Sequence, residues 1–413
     1  MTSLPREVPQ RLQHLAHPVS AYDICLRLEE SLELAVDNDD VGNNLVYIRI
    51  LGYLIHYVPT DLGLRKIVEE ISSCVDDSAI LAVGQLYYDH YIRAFRANRA
   101  HIPTPPNHPS RPSFDRIQDM IDATLQEAPQ SHAQAKKYAL VRDGYRCVVT
   151  GKYDTHSVKM IQELKEMVDL DPSARGESTQ CAHIFSKSTN SSIEPDSAKR
   201  EYATTIPPFG NVMTLALVRD GYRCVVTGKY DTHSVKMIQE LKEMVDLDPS
   251  ARGESTQCAH IFSKSTNSSI EPDSAKVCPL SLLSLNSRCR LPTPPFGNVM
   301  TLVPGFHMDF DQLYIWFVAT KEMNRYKLEA SDPFFLRSYP EFVTFTTPDS
   351  KKLPVPSPTY LAIHAACAKV AHLSGAAACI DKFYQDMEDR KTLDPDGASA
   401  NMLEHASTSL IWI

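Results

Sequence analysis

Hydrophobic residues recur every three or four positions through most of the first hundred residues, which predicts helices. Three segments show the pattern most clearly: AYDICLRLEESLELAV, DLGLRKIVEEISSCV and SAILAVGQLYYDHYIRAFRA. HIPTPPNHPSRPS at 101–113 has no hydrophobic period and predicts a linker or an extended surface strap. SFDRIQDMIDATLQEA follows as a helix capped by Ser113. We therefore divide this part into a helical region at 1–100 and a Pro-rich linker with a helix at 101–138.

From residue 139 the sequence repeats itself. Residues 139–199 are identical to 216–276, and PPFGNVMTL at 207–215 returns at 294–302. In each copy RCVVTG and TQCAHIF predict short strands, and THSVKMIQELKEMVDLD predicts an amphipathic helix. The apolar side of that helix in the first copy carries Val158, Ile161, Leu164, Met167 and Val168.

The part after the repeat predicts mostly helix. FDQLYIWFVATKEM predicts one helix, and a small-residue helix is predicted at 360–385, while the polar last twenty residues predict a loosely held end. We expect a predominantly helical α+β chain. Its remaining units are an incomplete first copy at 139–215, a second unit at 216–320 and a C-terminal helical region at 321–413.

Charge and cysteine content limit the classes of function. The net charge of −9 argues against non-specific coating of nucleic acid but leaves room for a local basic groove. The ten cysteines contain no C-x-x-C pair, and MTSLPREVPQ does not resemble a signal sequence. These features predict an intracellular protein, in the cytoplasm or nucleus, with reduced thiols. LAIHAACAKVAHLSGAAACI holds two His and a Lys and predicts a buried helix, so we expect no membrane span.

Three motifs follow one another in the second copy and after it. They are CAHI at 258–261, FGNVMTL at 296–302 and FHMDFDQL at 306–313. Together with RDGYRCVVTG, and in this order, they resemble the HNH endonuclease family, most closely the HNH_2-type domains of fungal proteins. The resemblance covers 139–320 and implies a small ββα-metal unit whose hairpin segment is duplicated in this chain.

The resemblance also implies roles for individual residues. His260 would act as the general base that activates a water molecule. His307 would bind a divalent ion, Mg²⁺ or Mn²⁺, which would contact the scissile phosphate. Asn298 would hold the loop that orients the base or assist the metal. Asp311 lies one helical turn after His307 and would be a second ligand or would support the first.

Other features depart from the family pattern. Ala259 stands where many HNH sites have an acidic metal ligand. Each RCVVTG offers a single cysteine, so we expect no structural zinc. Without the resemblance, a histidine at a strand end is more often a satisfied surface or core residue than a catalyst.

The first copy offers an alternative pair, His183 and Asn211. No FHMDFDQL segment follows it, so the chain can build at most one full site. We favour His260 with Asn298, but the first copy could instead supply the strand and leave the second as a long loop. Two identical strands that compete for one place in a sheet are a frustrated arrangement.

Three functions fit these observations. The first is a metal-dependent HNH-type endonuclease that hydrolyses phosphodiester bonds in DNA. The second is a catalytically inactive relic that acts as a scaffold or interaction module, with protein partners unknown. The third is a helical interaction protein in which the motif is coincidental. A basic groove at the site would favour the first function and a closed or acidic surface the second; the candidate basic residues are Arg142, Arg146, Lys152, Arg219, Arg223, Lys229 and Lys264.

The exact identity of the two copies has two explanations, a recent tandem duplication or a faulty gene model that reads one locus twice. VCPLSLLSLNSRCRLPT at 277–293 favours the second, because Val-Cys can be encoded as GTATGT, a common fungal splice signal. A transcript that carries both copies and residues 277–293 would exclude the faulty gene model.

Overall fold

The computed structural model describes residues 2–34, 41–96, 140–179, 215–262 and 295–389, except positions 142, 148, 149 and 352. Within these ranges the chain is an α+β protein that is predominantly helical, as predicted. The expected helix in SFDRIQDMIDATLQEA, the alternative pair His183 and Asn211, and the polar last twenty residues lie outside the described residues.

The N-terminal region is helical, as its hydrophobic period predicts. Two helices begin at side-chain caps, where Thr60 accepts from the Gly63 amide and Asp76 from the Ala79 amide. The elements are α1 (Ala16–Leu34), α2 (Val41–Tyr57), α3 (Asp61–Ser72), α4 (Asp77–Tyr87), a π-helical turn (Tyr88–Ile92) and α5 (Arg93–Arg96).

Helix α2 forms the centre of the main core. It packs against α1, α4 and a C-terminal helix, α11 (Pro358–Ser374). Its one buried charge, Arg49, is neutralised by Glu29 at 2.5 Å and Glu33 at 2.6 Å. Glu29 also accepts the Leu4 amide at 3.1 Å, so the buried carboxylate is well satisfied and ties the N-terminal segment to the helices.

The small-residue helix predicted at 360–385 is two helices. Helix α11 ends at Gly375, which has a left-handed backbone (φ 89°), and α12 (Ala376–Asp389) leaves at a bend of 77°. Among the described residues no single helix is long and apolar enough to cross a membrane. The bent pair Pro358–Ser374 and Ala376–Lys382 reaches that composition only when the two helices are taken together.

The two copies of the repeat fold alike. The first forms β1 (Tyr153–Asp154), α6 (Thr155–Met160), α7 (Gln162–Asp169) and β2 (Gly176–Glu177), with β1 parallel to β2. The second forms β3 (Tyr230–Asp231), α8 (Thr232–Met237), α9 (Gln239–Asp246) and β4 (Gly253–Glu254) in the same way. In each copy an aspartate at the helix start accepts from the amide of the serine three residues on, Ser157 or Ser234.

Two predictions within the repeat are wrong. The amphipathic segment is not one helix, because Ile161 and Ile238 have extended backbones (φ −113° and −114°). In the first copy this break lets both short helices turn their apolar side chains into one small core. RCVVTG is a turn rather than a strand, since the Gly228 amide bonds back to the Cys224 carbonyl at 2.9 Å. Gly228 closes that turn with a positive φ of 68°.

Despite identical sequences, the copies pack differently. Residues of the second copy, including Cys224 and Val226, belong to the main core. The first copy has a separate core that contains Tyr153, Val168 and one side chain from far along the chain, Phe334. Phe334 lies in a short 3₁₀ turn, Pro333–Leu336.

The helix predicted for FDQLYIWFVATKEM is also wrong. Helix α10 (Pro304–Asp311) ends before Leu313, whose φ of 61° turns the chain into a strand, β7 (Ile315–Ala319). The run IWFVA is β-branched and aromatic, and its first three residues are buried, which suits a strand covered on both faces. β7 pairs antiparallel with β8 (Arg325–Ala330), and β8 with β9 (Phe342–Thr344), so the C-terminal region holds strands as well as helices.

The different packing of the copies predicts different effects of one substitution. A Cβ at Gly176 would lie 2.5 Å from the Phe334 ring, whereas the atom nearest to a Cβ at Gly253 would be Thr232 Cγ2 at 3.0 Å. We expect Gly176→Ala to lower the free energy of unfolding by about 1–3 kcal/mol through overpacking. Gly253→Ala should change it by less than about 1 kcal/mol. Urea denaturation of both variants measures this; equal losses would contradict the asymmetric packing.

The buried His364 predicts loss of stability in acid. Burial lowers its pKa to about 3 from 6.5, while its Nε2 bonds to the Phe310 carbonyl at 3.1 Å. The unfolded chain therefore binds the proton more tightly, so this contribution is full above pH 6.5 and is lost as the pH falls toward 3. His364→Gln keeps an amide donor and cannot titrate. In that window we expect the unfolding free energy of His364→Gln to decrease less steeply with falling pH than that of the wild type. The difference in slope should be up to about 1.4 kcal/mol per pH unit. Denaturation at pH 7, 5 and 4 tests this, and an unchanged pH slope would contradict it.

Candidate functional site

An antiparallel hairpin followed by a helix brings the predicted site residues together. β5 (Gln257–His260) pairs with β6 (Val299–Leu302), which places His260 opposite Val299 at the end of the strand. Helix α10 follows β6 directly and begins at Pro304, a residue suited to the first helical turn. The strand that occupies this position thus comes from the second copy.

A buried arginine fixes the second copy to β6. The Arg219 guanidinium donates to the Val299 carbonyl at 2.9 Å and forms a bidentate pair with Asp220 at 2.7 and 2.9 Å. Asp220 in turn accepts the Thr301 amide at 2.9 Å. The Val225 amide bonds to the Thr301 carbonyl at 3.0 Å. The two charges neutralise each other, and both side chains also form hydrogen bonds with backbone groups. The pair is therefore stable although it is buried.

Asn298 clamps the chain immediately after His260. Its Oδ1 accepts the Phe262 amide and its Nδ2 donates to the Phe262 carbonyl, both at 2.9 Å. The Asn298 carbonyl also accepts the Ile261 amide at 2.9 Å. These three bonds fix the direction in which the chain leaves β5, so they also fix the backbone that carries His260.

His307 lies between the strand and the end of its own helix. Its Nδ1 is 2.8 Å from Gln257 Oε1, and its Nε2 is 3.3 Å from Asp311 Oδ2. Burial, and next the charge of nearby His260, lower the pKa of His307 to about 4, so the ring is neutral at pH 7. A neutral ring that donates from Nδ1 to Gln257 has a lone pair on Nε2 beside the Asp311 carboxylate. In that tautomer two electron-pair donors face one small space.

This pair of donors fits part of a divalent-cation site. Imidazole nitrogen and carboxylate oxygen are both ligands for Mn²⁺, and Mg²⁺ often takes only one or two protein carboxylates and keeps several waters. Both side chains are about one-fifth exposed, so an ion can reach them. Within the described ranges no group of three or more His, Cys, Asp and Glu side chains is arranged to hold a metal. The remaining ligands would have to be water and substrate.

A buried carboxylate on the same helix binds the first copy. Asp309 Oδ1 accepts from Ser178 at 2.9 Å and from Thr155 at 3.3 Å, and both of these residues belong to the first copy. Burial raises the pKa of Asp309 to about 7, and the two hydrogen bonds only partly oppose that rise. This contact could not be predicted from the sequence, because Asp309 and Ser178 are far apart along the chain.

The candidate basic residues do not form an open groove in the part of the structure that is described. Arg219 is buried, while Arg146 and Arg223 each lie over a tyrosine of their own copy. Lys152 and Lys229 pair with glutamates at 3.2 and 2.5 Å. Arg142 and Lys264 lie outside the described residues.

The structure thus brings His260, Asn298, His307 and Asp311 to one hairpin and helix. Sequence reasoning missed Gln257, which contacts His307 from three residues before His260. The alternation of β5 contains no signal for it, since the side chains of residues three apart on a strand point to opposite faces. No protein-family model matches the chain, and neither a curated protein nor a solved structure matches it significantly.

The Asn298 clamp predicts a specific loss of stability. Asn298→Ala leaves the Phe262 amide and carbonyl without their partners, which should cost about 1–3 kcal/mol of unfolding free energy. Asn211→Ala, at the equivalent position of the first copy, is the matched control and should have a smaller effect. Urea denaturation compares them, and a larger loss in Asn211→Ala would mean that the first copy supplies the hairpin.

Proposed function

We propose that the β5–β6 hairpin and α10 form an HNH-type site that hydrolyses phosphodiester bonds in DNA with the help of Mg²⁺ or Mn²⁺. The observation that carries this proposal is the Asn298 clamp on Phe262, which holds the backbone next to His260 while His307 and Asp311 offer donors from the adjoining helix. The order of the motifs, and their resemblance to the HNH family, support it.

Each residue has a role in this proposal. His260 removes a proton from the attacking water, for which it must be neutral near pH 7. Asn298 acts as a positioning residue for the His260 backbone. His307 and Asp311 would hold the divalent ion, with Gln257 fixing the orientation of the His307 ring. Such an ion supplies charge stabilisation to the phosphate and the leaving oxygen.

Plasmid nicking by the purified chain with Mg²⁺ or Mn²⁺ tests the proposal. We expect His260→Ala and His307→Ala each to lower the rate by about 10²-fold or more, because each removes a group that acts on the reaction. His233→Ala changes an exposed histidine of the same copy and should leave the rate unchanged. His183→Ala reports on the alternative copy.

The possible outcomes separate the alternatives. If His183→Ala abolishes cleavage and His260→Ala does not, the first copy carries the base. If His260→Ala cleaves as fast as the wild type, His260 is not the base. If the folded wild type fails to cleave the plasmid both with Mg²⁺ and with Mn²⁺, the nuclease proposal is wrong.

We also propose a second function, an inactive scaffold or interaction module. The engagement of Arg219, Lys152 and Lys229 in internal contacts favours it, since a surface that binds DNA needs accessible positive charge. The contact of the first copy with Asp309 gives α10 a structural use that requires no catalysis.

A further inference from the structure

One face of the repeat is covered in the first copy and open in the second. In the first copy Val158, Val168 and Gly176 are buried. Their counterparts Val235, Val245 and Gly253 are half-buried or exposed. We call the surface formed by Val235, Lys236, Lys242, Val245 and Gly253 the open face.

A segment of the same chain covers the first copy. The Phe334 ring packs on Gly176, within the small core of that copy. Asp332 forms an ion pair with Lys165 at 2.7 Å, and Ser338 donates to the Gly176 carbonyl at 2.9 Å. The covering segment thus presents an acid and an aromatic ring in a short turn.

An arginine completes the contact. Arg337 donates to the carbonyls of Val168, Asp171 and Ala174 at 3.2, 3.0 and 3.3 Å. These carbonyls lie at and just after the C-terminus of α7, where the helix dipole also favours a cation. Three acceptors and the dipole therefore make a small receptor for a guanidinium group.

The same receptor is built in the second copy. The Asp248 amide bonds to the Val245 carbonyl at 3.2 Å and the Ala251 amide to the Asp248 carbonyl at 2.9 Å. The corresponding bonds of the first copy are 3.2 and 3.0 Å, so the turn after the helix has the same form. Lys242, the counterpart of Lys165, is exposed. Among the described residues no segment covers this copy as 332–338 covers the first.

We propose that the open face is a docking site for a partner protein segment of the sequence type acid–Pro–aromatic–aromatic–x–Arg. Its acid would pair with Lys242, its first aromatic ring would lie on Gly253, and its arginine would reach the carbonyls of Val245, Asp248 and Ala251. The chain's own segment of this type already binds the first copy, so the occupant comes from another molecule. This inference does not depend on nuclease activity.

A labelled peptide with the sequence of residues 331–340, SDPFFLRSYP, is the probe, and fluorescence anisotropy with the intact chain is the measurement. We expect saturable 1:1 binding that Gly253→Ala weakens at least about tenfold, since a Cβ would meet the peptide's aromatic ring as it would meet Phe334 in the first copy. Thermal melting verifies that the variant stays folded. A peptide with glutamine in place of its arginine should also bind more weakly.

Val75→Ala, a change at an exposed position of the N-terminal region, is the control and should bind like the wild type. Absence of saturable binding to the folded wild type would overturn the proposal. So would binding that Gly253→Ala leaves unchanged, because the peptide would then occupy another surface. The proposal would also be overturned if the wild type were a dimer without peptide and the Gly253→Ala variant a monomer. The occupant of the open face would then be a second copy of this chain.

Discussion

The structure depends on which of two identical strands pairs with β6. In the part of the chain that the structure describes, β6 pairs with one strand, and the buried pair of Arg219 and Asp220 holds the second copy in that position by bonding to both Val299 and Thr301. A guanidinium with no exposed side-chain surface is tolerated only when its charge and donors are satisfied. Once this contact is made, His260 is brought to the hairpin, and the first copy must find a different surface.

A comparison of the two copies shows which features the local sequence determines and which depend on the surrounding structure. The aspartate caps, the break at isoleucine and the parallel two-residue strands are the same in both, because their partners lie within the repeat. Burial is not the same. Cys224 is buried and its sulfur accepts the Val303 amide, whereas Cys147 is only half-buried. The identity of a residue therefore does not decide whether it belongs to a core.

Much of the fold could be predicted from periodicity. The N-terminal helices and β5 have regular patterns, and their predictions are confirmed. The helix predicted through FDQLYIWF failed because the hydrophobic run is equally suited to a buried strand, and only Leu313 with a positive φ reveals the change of direction. The prediction of a single helix at 360–385 was wrong because the first helix ends at Gly375, which has a left-handed backbone. In the sequence this glycine stands among small residues and is not recognisable as a helix end.

The candidate site was partly predictable. Asn298 is predicted to hold the loop that orients the base or to assist the metal, and in the structure its amide bonds to the backbone just after His260. The catalytic and metal-binding roles stay predictions. Gln257 and Asp309 could not be found, because a hydrogen bond between distant segments has no sequence period. The contact of Ser178 with Asp309 joins the first copy to α10, the helix that follows the second copy.

The place of Phe334 in the chain has a consequence for the order of folding. This residue is nearer in sequence to Gly253 than to Gly176, by about a factor of two in loop length. Chain entropy therefore favours closure on the second copy by about 0.6 kcal/mol. The native structure closes on the first copy instead. Early capture of Phe334 by the second copy would therefore be a kinetic trap, which the chain must leave before Phe334 reaches Gly176.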